Sequence, residues 1–358
     1  RAKGSKNPWA VMLDVDEEFE SSFDRKAIEH LCCPIIPSIK GWAFPEWNFW
    51  RGKECVRLDG LWGRQAFVRL FRLTEHQEIK SRDPRGLHCP NVAPVPVDAI
   101  KVAPYRIKHF GFYRYDLALQ KYKRYESLDR VKDKTLIGAE DYRHLIDESH
   151  SVMRPWREKN DITLCFITKD EGENIDEFME HVYGLFNDYV CVDTGSTDDT
   201  VERLRKWGVR VYTLKWNDDF SEARNFALSK CKSRWVMHLD VDERLSDPLE
   251  IHRLIMDDAD AFRFKIRNFL PNNAVYISEA YRLFRLDSRV RYDGRVHETV
   301  ERSLIALKAR TRRAQSPILH FGFRRPDLDA KLDYYERLLW REIEENPRDC
   351  LLYTSDAA

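Results

Sequence analysis

The chain has no excess of either charge, with 60 basic residues set against 60 acidic ones over 358 residues. That balance, together with 43% hydrophobic residues, excludes a disordered polyelectrolyte and argues against a general binder of phosphate backbones, so no nucleic-acid partner is expected. No apolar run approaches the roughly 18 residues that a transmembrane segment needs. The opening Arg1-Ala-Lys-Gly-Ser-Lys is not followed by the apolar core of a signal peptide. The eight cysteines include no C-x-x-C pair, and the adjacent Cys32 and Cys33 cannot make a zinc knuckle. Buried free thiols in a cytoplasmic protein are the expectation, with peripheral membrane contact left open. Aromatic residues, by contrast, are plentiful at 12% and suit either a core or a sugar-stacking surface. The length fits about two domains.

What is present is organised around Trp235 to Glu243, Trp-Val-Met-His-Leu-Asp-Val-Asp-Glu. Trp235, Val236, Met237 and Leu239 form a short run of buried-strand type that breaks into Asp240, Asp242 and Glu243. Carboxylates one residue apart at the end of such a strand project from the carboxyl edge of a sheet, where open α/β folds bind ligands. Three acidic groups this close repel one another unless a cation or hydrogen-bond donors lie among them, and all-oxygen donors suit Mg²⁺ or Mn²⁺. The plain alternative is an ordinary acidic turn.

The same pattern occurs earlier. Trp9 to Glu17 matches Trp235 to Glu243, Arg69-Leu-Phe-Arg-Leu73 matches Arg282-Leu-Phe-Arg-Leu286, and His109-Phe-Gly-Phe112 matches His320-Phe-Gly-Phe323. The offsets are 226, 213 and 211, in order and at the spacing of a whole domain, which implies a tandem duplication. Lys121, Tyr125 and Glu126 likewise answer Lys331, Tyr335 and Glu336. Only 13 residues precede Asp14, so the first copy, residues 1–129, is expected to be a partial, C-terminal half domain. An open apolar sheet edge is an aggregation hazard, and the chain is therefore expected to be a fragment of a longer protein. Residues 130–160, charged and with little periodicity, read as a linker, 161–349 as the complete copy, and 350–358 as a non-native tail.

In the complete copy Ile162 to Thr168 reads as a buried strand. Ile175, Phe178, Met179, Val182, Leu185 and Phe186 then form a helical stripe. Tyr189 to Val192 is a second strand, and Ser196 with Asp198 and Asp199 gives an N-cap and acidic first turn for a helix through Val201, Leu204 and Trp207, ended by Gly208. A strand over 209–214, a helix over 220–230 and a strand over 235–239 follow. Strands alternating with helices imply an α/β fold with a mostly parallel, doubly wound sheet. Four successive strand ends carry polar clusters: Thr168-Lys-Asp-Glu171, Asp193-Thr-Gly-Ser-Thr-Asp-Asp199, Asn217-Asp-Asp-Phe with Arg224-Asn225, and the Asp240 turn. Asp193 could accept from a ribose hydroxyl or base N–H, or merely cap its turn. The planar fork of Arg224 suits a nucleobase or phosphate. Leu328, Leu332, Tyr335, Leu338, Leu339 and Ile343 form a helical stripe that packs on the fold, and Arg310, Arg312 and Arg313 a basic patch read as a solvated face.

These segments, Phe166-Ile-Thr-Lys-Asp-Glu, Val192-Asp-Thr-Gly-Ser-Thr-Asp-Asp, Asn217 to Ala227 and Leu239-Asp-Val-Asp-Glu, resemble the successive motifs of family 2 glycosyltransferases of GT-A fold. Arg282-Leu-Phe-Arg and Gly294-Arg-Val-His-Glu298 resemble C-terminal motifs of the lipopolysaccharide-core glucosyltransferase-like branch, which would place the chain in cell-envelope polysaccharide synthesis. The resemblance covers about residues 161–345. It implies inverting transfer of a hexosyl-type sugar from a nucleotide-sugar donor, a UDP-sugar favoured, to a hydroxyl of a glycan, lipid-linked or protein acceptor. By position it implies that Thr168, Glu171, Asp193, Arg224 and Asp240 hold the nucleotide-sugar, and that Asp240 and Asp242, with His297 as a further ligand, hold Mg²⁺ or Mn²⁺. Glu279 and Glu298 are the alternatives for the carboxylate base that the acceptor hydroxyl needs, with Glu279 favoured because Glu298 could orient His297. The first copy departs from this pattern. Asp14, Asp16 and His88 could still hold a metal, but Ala66 falls opposite Glu279 and Leu87-His-Cys89 replaces Val296-His-Glu298, so it is expected to be inactive. A sugar-phosphate nucleotidyltransferase would need a Gly-rich basic loop where Thr168-Lys-Asp-Glu-Gly-Glu stands, and a non-catalytic carbohydrate- or nucleotide-binding module is the other alternative.

Overall fold

A computed structural model describes residues 9–32, 38–59, 62, 65–73, 95–131, 142–149, 151–156, 161–271, 274–324 and 328–345. The chain divides into two units, one formed by residues 1–160 with 251–257 and the other by 161–250 with 258–358. The first comprises β1 (Trp9–Val11), β2 (Glu17–Phe19), α1 (Arg25–Leu31), β3 (Gly41–Trp50), β4 (Cys55–Arg57), β5 (Ala66–Arg72), β6 (Ile100–Val102), β7 (Ile107–Phe112), α2 (Tyr115–Val131) and β8 (Met153–Pro155). The second comprises β9 (Ile162–Thr168), α3 (Gly172–Val182), β10 (Asp188–Asp193), α4 (Thr200–Lys206), β11 (Arg210–Thr213), α5 (Phe220–Leu228), β12 (Trp235–His238) and β13 (Glu243–Leu245). After the short α6 (Glu250–Leu254) it continues with β14 (Ala261–Phe269), β15 (Val275–Arg285), α7 (Glu301–Ala306), β16 (Thr311–Arg313), β17 (Ile318–His320) and α8 (Leu328–Glu345).

The second sheet runs β11-β10-β9-β12-β15-β14-β17-β13. Its first four strands are parallel, so their carboxyl ends share one edge, with Asp193 in register with both Thr168 and Thr213. β15 then enters antiparallel beside β12 and continues into a long hairpin with β14. The apolar material behind this edge is a continuous core that includes Cys165, Val190, Val192, Val236, Phe284 and Tyr292. The stripe expected of the first helix is buried, but α3 ends at Val182 and not beyond Leu185. Gly184, at φ 83°, takes the left-handed conformation that terminates it, and Leu185 and Phe186 are buried from the following turn. Similarly α4 begins at Thr200, not at Ser196, because Ser196 is drawn into the Asp193 turn while Asp198 accepts from the amide of Thr200 at 3.0 Å. On α8, Leu338 is buried as expected, but Leu332 faces solvent. Among the described residues the cysteines are free, with Cys165, Cys191 and Cys231 buried. No described helix is long and apolar enough to cross a membrane.

Part of the expected linker is structured. β8 pairs with β4, Leu145 lies in a core cluster with Trp50 and Phe112, and Glu148 accepts from the Trp50 indole at 2.8 Å. The described residues between 142 and 156 thus pack against and extend the first sheet, although their charged composition hid it.

The two sheets repeat one another in register. β1 meets β5 as Trp9↔Arg72 where β12 meets β15 as Trp235↔Arg285. β2 meets β7 as Glu17↔His109 where β13 meets β17 as Glu243↔His320. The β3–β5 ladder slips between Trp42 and Ala43, and the β14–β15 ladder slips between Phe262 and Arg263, the equivalent place. In the first sheet β1 is an edge strand among the described residues.

Phe284 is fully buried at the junction of the parallel and antiparallel halves. Phe284→Ala should cost about 3–5 kcal/mol, whereas truncation of the exposed Trp340 should stay within about 0.5 kcal/mol. Urea melts of the two variants test this placement of the core, and equal losses would overturn it.

Candidate functional site

The site begins where β12 ends. Asp240, Asp242 and Glu243 lie within four residues, and each is met by a cation from a different element. Arg224, buried on α5, reaches Asp240 Oδ1 at 3.2 Å and also donates from Nε to Glu298. Arg282 on β15 donates to Glu243 Oε1 at 2.6 Å and lies 3.6 Å from Asp240 Oδ2. His320 on β17 places Nε2 3.5 Å from Asp242 Oδ1 while its Nδ1 hydrogen-bonds Asn268 Oδ1 at 2.6 Å. Glu243 also closes the turn itself, accepting from the Asp240 amide at 3.0 Å. Gly322 is required here, since a Cβ on it would stand 2.3 Å from Asp242 Oδ2 and 2.6 Å from His320 Nε2.

These contacts set the charges. Burial works against the charge on Asp240, but Arg224 and then Arg282 hold its carboxyl well below the usual carboxylate range. Asp242 is also buried, yet the His320 hydrogen bond and charge keep it below its ordinary value, and Asp242 in return raises His320. Glu243 goes the other way. Its burial, reinforced by the charge of Asp240 and only partly offset by Arg282, pushes the carboxyl up to about 7. His238, buried beneath Arg224, is held neutral, first by burial and then by that guanidinium. Tyr335 on α8 is pushed up by burial and by the nearby Glu298, Asp240 and Asp242, which places its ring beside the same cluster.

The other expected residues are distributed as follows. Thr168 and Asp193 end adjacent parallel strands, as expected. The carboxylate of Asp193 accepts from the Gly195 and Ser196 amides, so it caps its turn, and Gly195 adopts φ 110° there. The Thr168 hydroxyl is buried without a hydrogen-bond partner among the described residues. Glu171 caps no helix through its side chain and accepts from Asn174 at 2.7 Å. Arg224 was expected to be free for a nucleobase or phosphate; instead it is buried, its fork occupied by Asp240 and Glu298, because the Gly294 to Glu298 loop folds against α5. His297 is exposed, with φ 56°, and does not join a ligand set; among the described residues no three His, Cys, Asp or Glu side chains converge as metal ligands. Glu279 pairs with Arg313 at 3.2 Å and Arg263 at 3.9 Å, apart from the Arg224 cluster.

Glu243 was singled out only as a member of the acidic turn, and Arg282, His320, His238 and Asn268 were given no functional role from the sequence. The signal that could have found the first three is the internal repeat, since the first unit reproduces their contacts. There Arg69 pairs with the buried Glu17, the Asp14 amide donates to Glu17 at 3.0 Å, and His109 joins Asn48 at 2.6 Å to Asp16 at 3.2 Å. Lys121 adds a cation 3.3 Å from Asp16. His88 lies outside the described residues. Ala66 faces Pro45, where Glu279 faces Lys265.

Residues 163–287 match the family model described as glycosyl transferase family 2. The chain is 29% identical over 201 residues to a TPR repeat-containing protein of Synechococcus elongatus, covering 53% of this chain and 50% of that protein. It is 30% identical over 152 residues to the SPbeta prophage-derived glycosyltransferase SunS of Bacillus subtilis, covering 39% of this chain and 36% of that protein. The match thus spans half or less of each relative's length. A crystal structure of S. aureus TarS in complex with UDP-GlcNAc is similar at 17% identity and a TM-score of 0.38, covering 51% of this chain and 67% of that chain. The segment similar to glycosyl transferase family 2 lies within the second unit, whose parallel strands with their antiparallel extension form a GT-A-like sheet.

Because Glu243 has its folded value near 7 against an ordinary 4.5, the folded chain keeps a proton that the unfolded chain has released. Its contribution to stability is therefore complete below about pH 4.5 and declines as pH rises through 7. The stability difference between wild type and Glu243→Gln, followed by urea melts from pH 4.5 to 8, should shift in the variant's favour as pH rises. A difference independent of pH would contradict the buried, proton-holding carboxyl.

Proposed function

We propose that the second unit transfers a sugar from a nucleotide-diphosphate sugar to an acceptor hydroxyl, with inversion and with the help of a divalent cation. The observation that carries this reading is the Asp240 turn, two ionised carboxylates presented at the carboxyl edge of the parallel strands inside the family-matched segment. A hexosyl-type sugar, a UDP donor and a glycan, lipid-linked or protein acceptor in cell-envelope polysaccharide synthesis of the lipopolysaccharide-core type remain the finer proposal, supported by the motifs at Arg282 and Gly294 to Glu298.

Two carboxylates suit Mg²⁺ or Mn²⁺, which bind through one or two side chains and take their other ligands from phosphate oxygens and water. Asp240 and Asp242 would hold the ion, and it would neutralise charge on the departing diphosphate. The chain's own residues do the rest. Arg224 and Arg282 keep Asp240 charged, and His320, fixed by Asn268, orients Asp242. The unpartnered Thr168 hydroxyl, beside the Asp193 turn, suits a nucleoside group, with Glu171 at the rim. Glu298 positions Arg224, so Glu279, which pairs with Arg313 and Arg263, is read as the base that takes the acceptor proton. We also read the first unit as a diverged partial copy that does no transfer, since Ala66 replaces that base.

Calorimetric titration of UDP and GDP into the full chain, with Mn²⁺ and with chelator, tests the donor site. Binding of one diphosphate should require the metal and fall at least roughly tenfold in Asp242→Asn. Glu279→Gln should keep that binding and lose transfer, while Asp16→Asn should keep both. Diphosphate binding that survives both chelator and Asp242→Asn would remove the metal-assisted mechanism.

A further inference from the structure

The first unit holds an open cleft of about 600 Å³ whose walls include Asp16, Lys53, Tyr113, Gln120, Lys121 and Arg124. The family match begins at residue 163 and assigns it no role. Its carboxylates are already neutralised. Glu18 at the rim pairs with Lys108 at 2.9 Å, and Asp16 Oδ2 is taken by His109 at 3.2 Å and Lys121 at 3.3 Å. Lys53 and Arg124 are different. Both are exposed, and no carboxylate among the described residues pairs with either. Lys53 is held over the rings of Phe110 and Tyr113, 5.5 and 5.9 Å from their centroids, which fixes an ammonium at the wall without cancelling its charge.

Two unmatched cations call for an anion. The remaining groups call for hydroxyls, because Asp16 Oδ1, the Gln120 amide and the Tyr113 phenol can each hydrogen-bond a sugar, while Phe110 and Tyr113 offer apolar surface to C–H groups. The cleft is large enough for a monosaccharide phosphate. Lys121 Nζ, moreover, lies 3.3 Å from Asp16 Oδ2, so the site carries its own cation.

We propose that this cleft binds a phosphorylated saccharide without a metal, with Lys53 and Arg124 on the phosphate and Asp16, Gln120 and Tyr113 on the sugar. The test is titration of glucose 1-phosphate, inorganic phosphate and glucose into the full chain in chelator. Glucose 1-phosphate should bind saturably, more tightly than either fragment, with affinity falling roughly tenfold or more in the Lys53→Glu/Arg124→Glu double variant and unchanged in Asp242→Asn. Lys53→Met/Arg124→Met should give the same loss and guards against misfolding of the charge-reversed chain, with melting temperature as the control. Saturable binding that is absent, or unaltered in both double variants, overturns the site. Inorganic phosphate binding as tightly as glucose 1-phosphate overturns the saccharide and leaves only an anion sink. Metal-dependent binding of UDP at the second unit is read separately, so either proposal can fail alone.

Discussion

Three carboxylates within four residues are the constraint on which the second unit turns. Two unit charges about 4 Å apart interact by roughly 4 kcal/mol at an effective dielectric of 20, so Asp240, Asp242 and Glu243 cannot share a buried strand end without compensation. The fold meets this with one cation from each of three elements, Arg224 from α5, Arg282 from β15 and His320 from β17. It also withholds one charge, since burial keeps Glu243 partly protonated near neutrality. The antiparallel extension of the sheet is therefore part of the site and not an appendage. Without β15 and β17 alongside β12 and β13, the acidic turn would keep only the α5 cation.

The first unit solves the same problem with fewer means. Its described residues include antiparallel strands that place Arg69 and His109 as Arg282 and His320 are placed in the second unit. Asp14, the equivalent of Asp240, lies 3.4 Å from Arg69 and has a side chain 37% exposed. Lys121 adds a second cation at Asp16, beside His109. Buried ion pairs such as Arg69 with Glu17 contribute little net stability relative to apolar packing. Their presence in both units, in equivalent strand registers, is more naturally a property of the turn they hold than of the cores around it.

The parallel half was legible from the sequence because its signals are local. The apolar run Ile162 to Thr168, the stripe from Ile175 to Val182 and Gly208 after Trp207 each lie within one element. Strand-end clusters at Thr168, Asp193 and Asp240 followed from that alternation. What was not legible depends on pairs far apart in the chain. Arg282 meets Glu243 across 39 residues, and Arg224 meets Glu298 across 74, so neither the role of Arg282 nor the burial of Arg224 can be read from a motif. The same holds for Glu148, which returns across 98 residues to Trp50 and converts an apparent linker into the margin of a sheet. Local competition explains the smaller differences: Ser196 serves the Asp193 turn rather than α4 because two turn amides and its own hydroxyl all find that carboxylate first.

The division of labour between the halves also limits what each unit can do. At the parallel edge the loops after β9 and β10 are knitted to one another, Thr197 and Ser196 bonding Asp170, so their backbone is fixed before any ligand arrives. Such preorganised loops can recognise a rigid group such as a nucleoside, while the antiparallel strands supply countercharge for whatever is attached to it. On the proposed reading, the second unit would hold a donor across these strand ends and neutralise its leaving group with the antiparallel strands' countercharge. The described part of the first unit keeps such countercharge, in Arg69, His109 and Lys121, beside an open cleft.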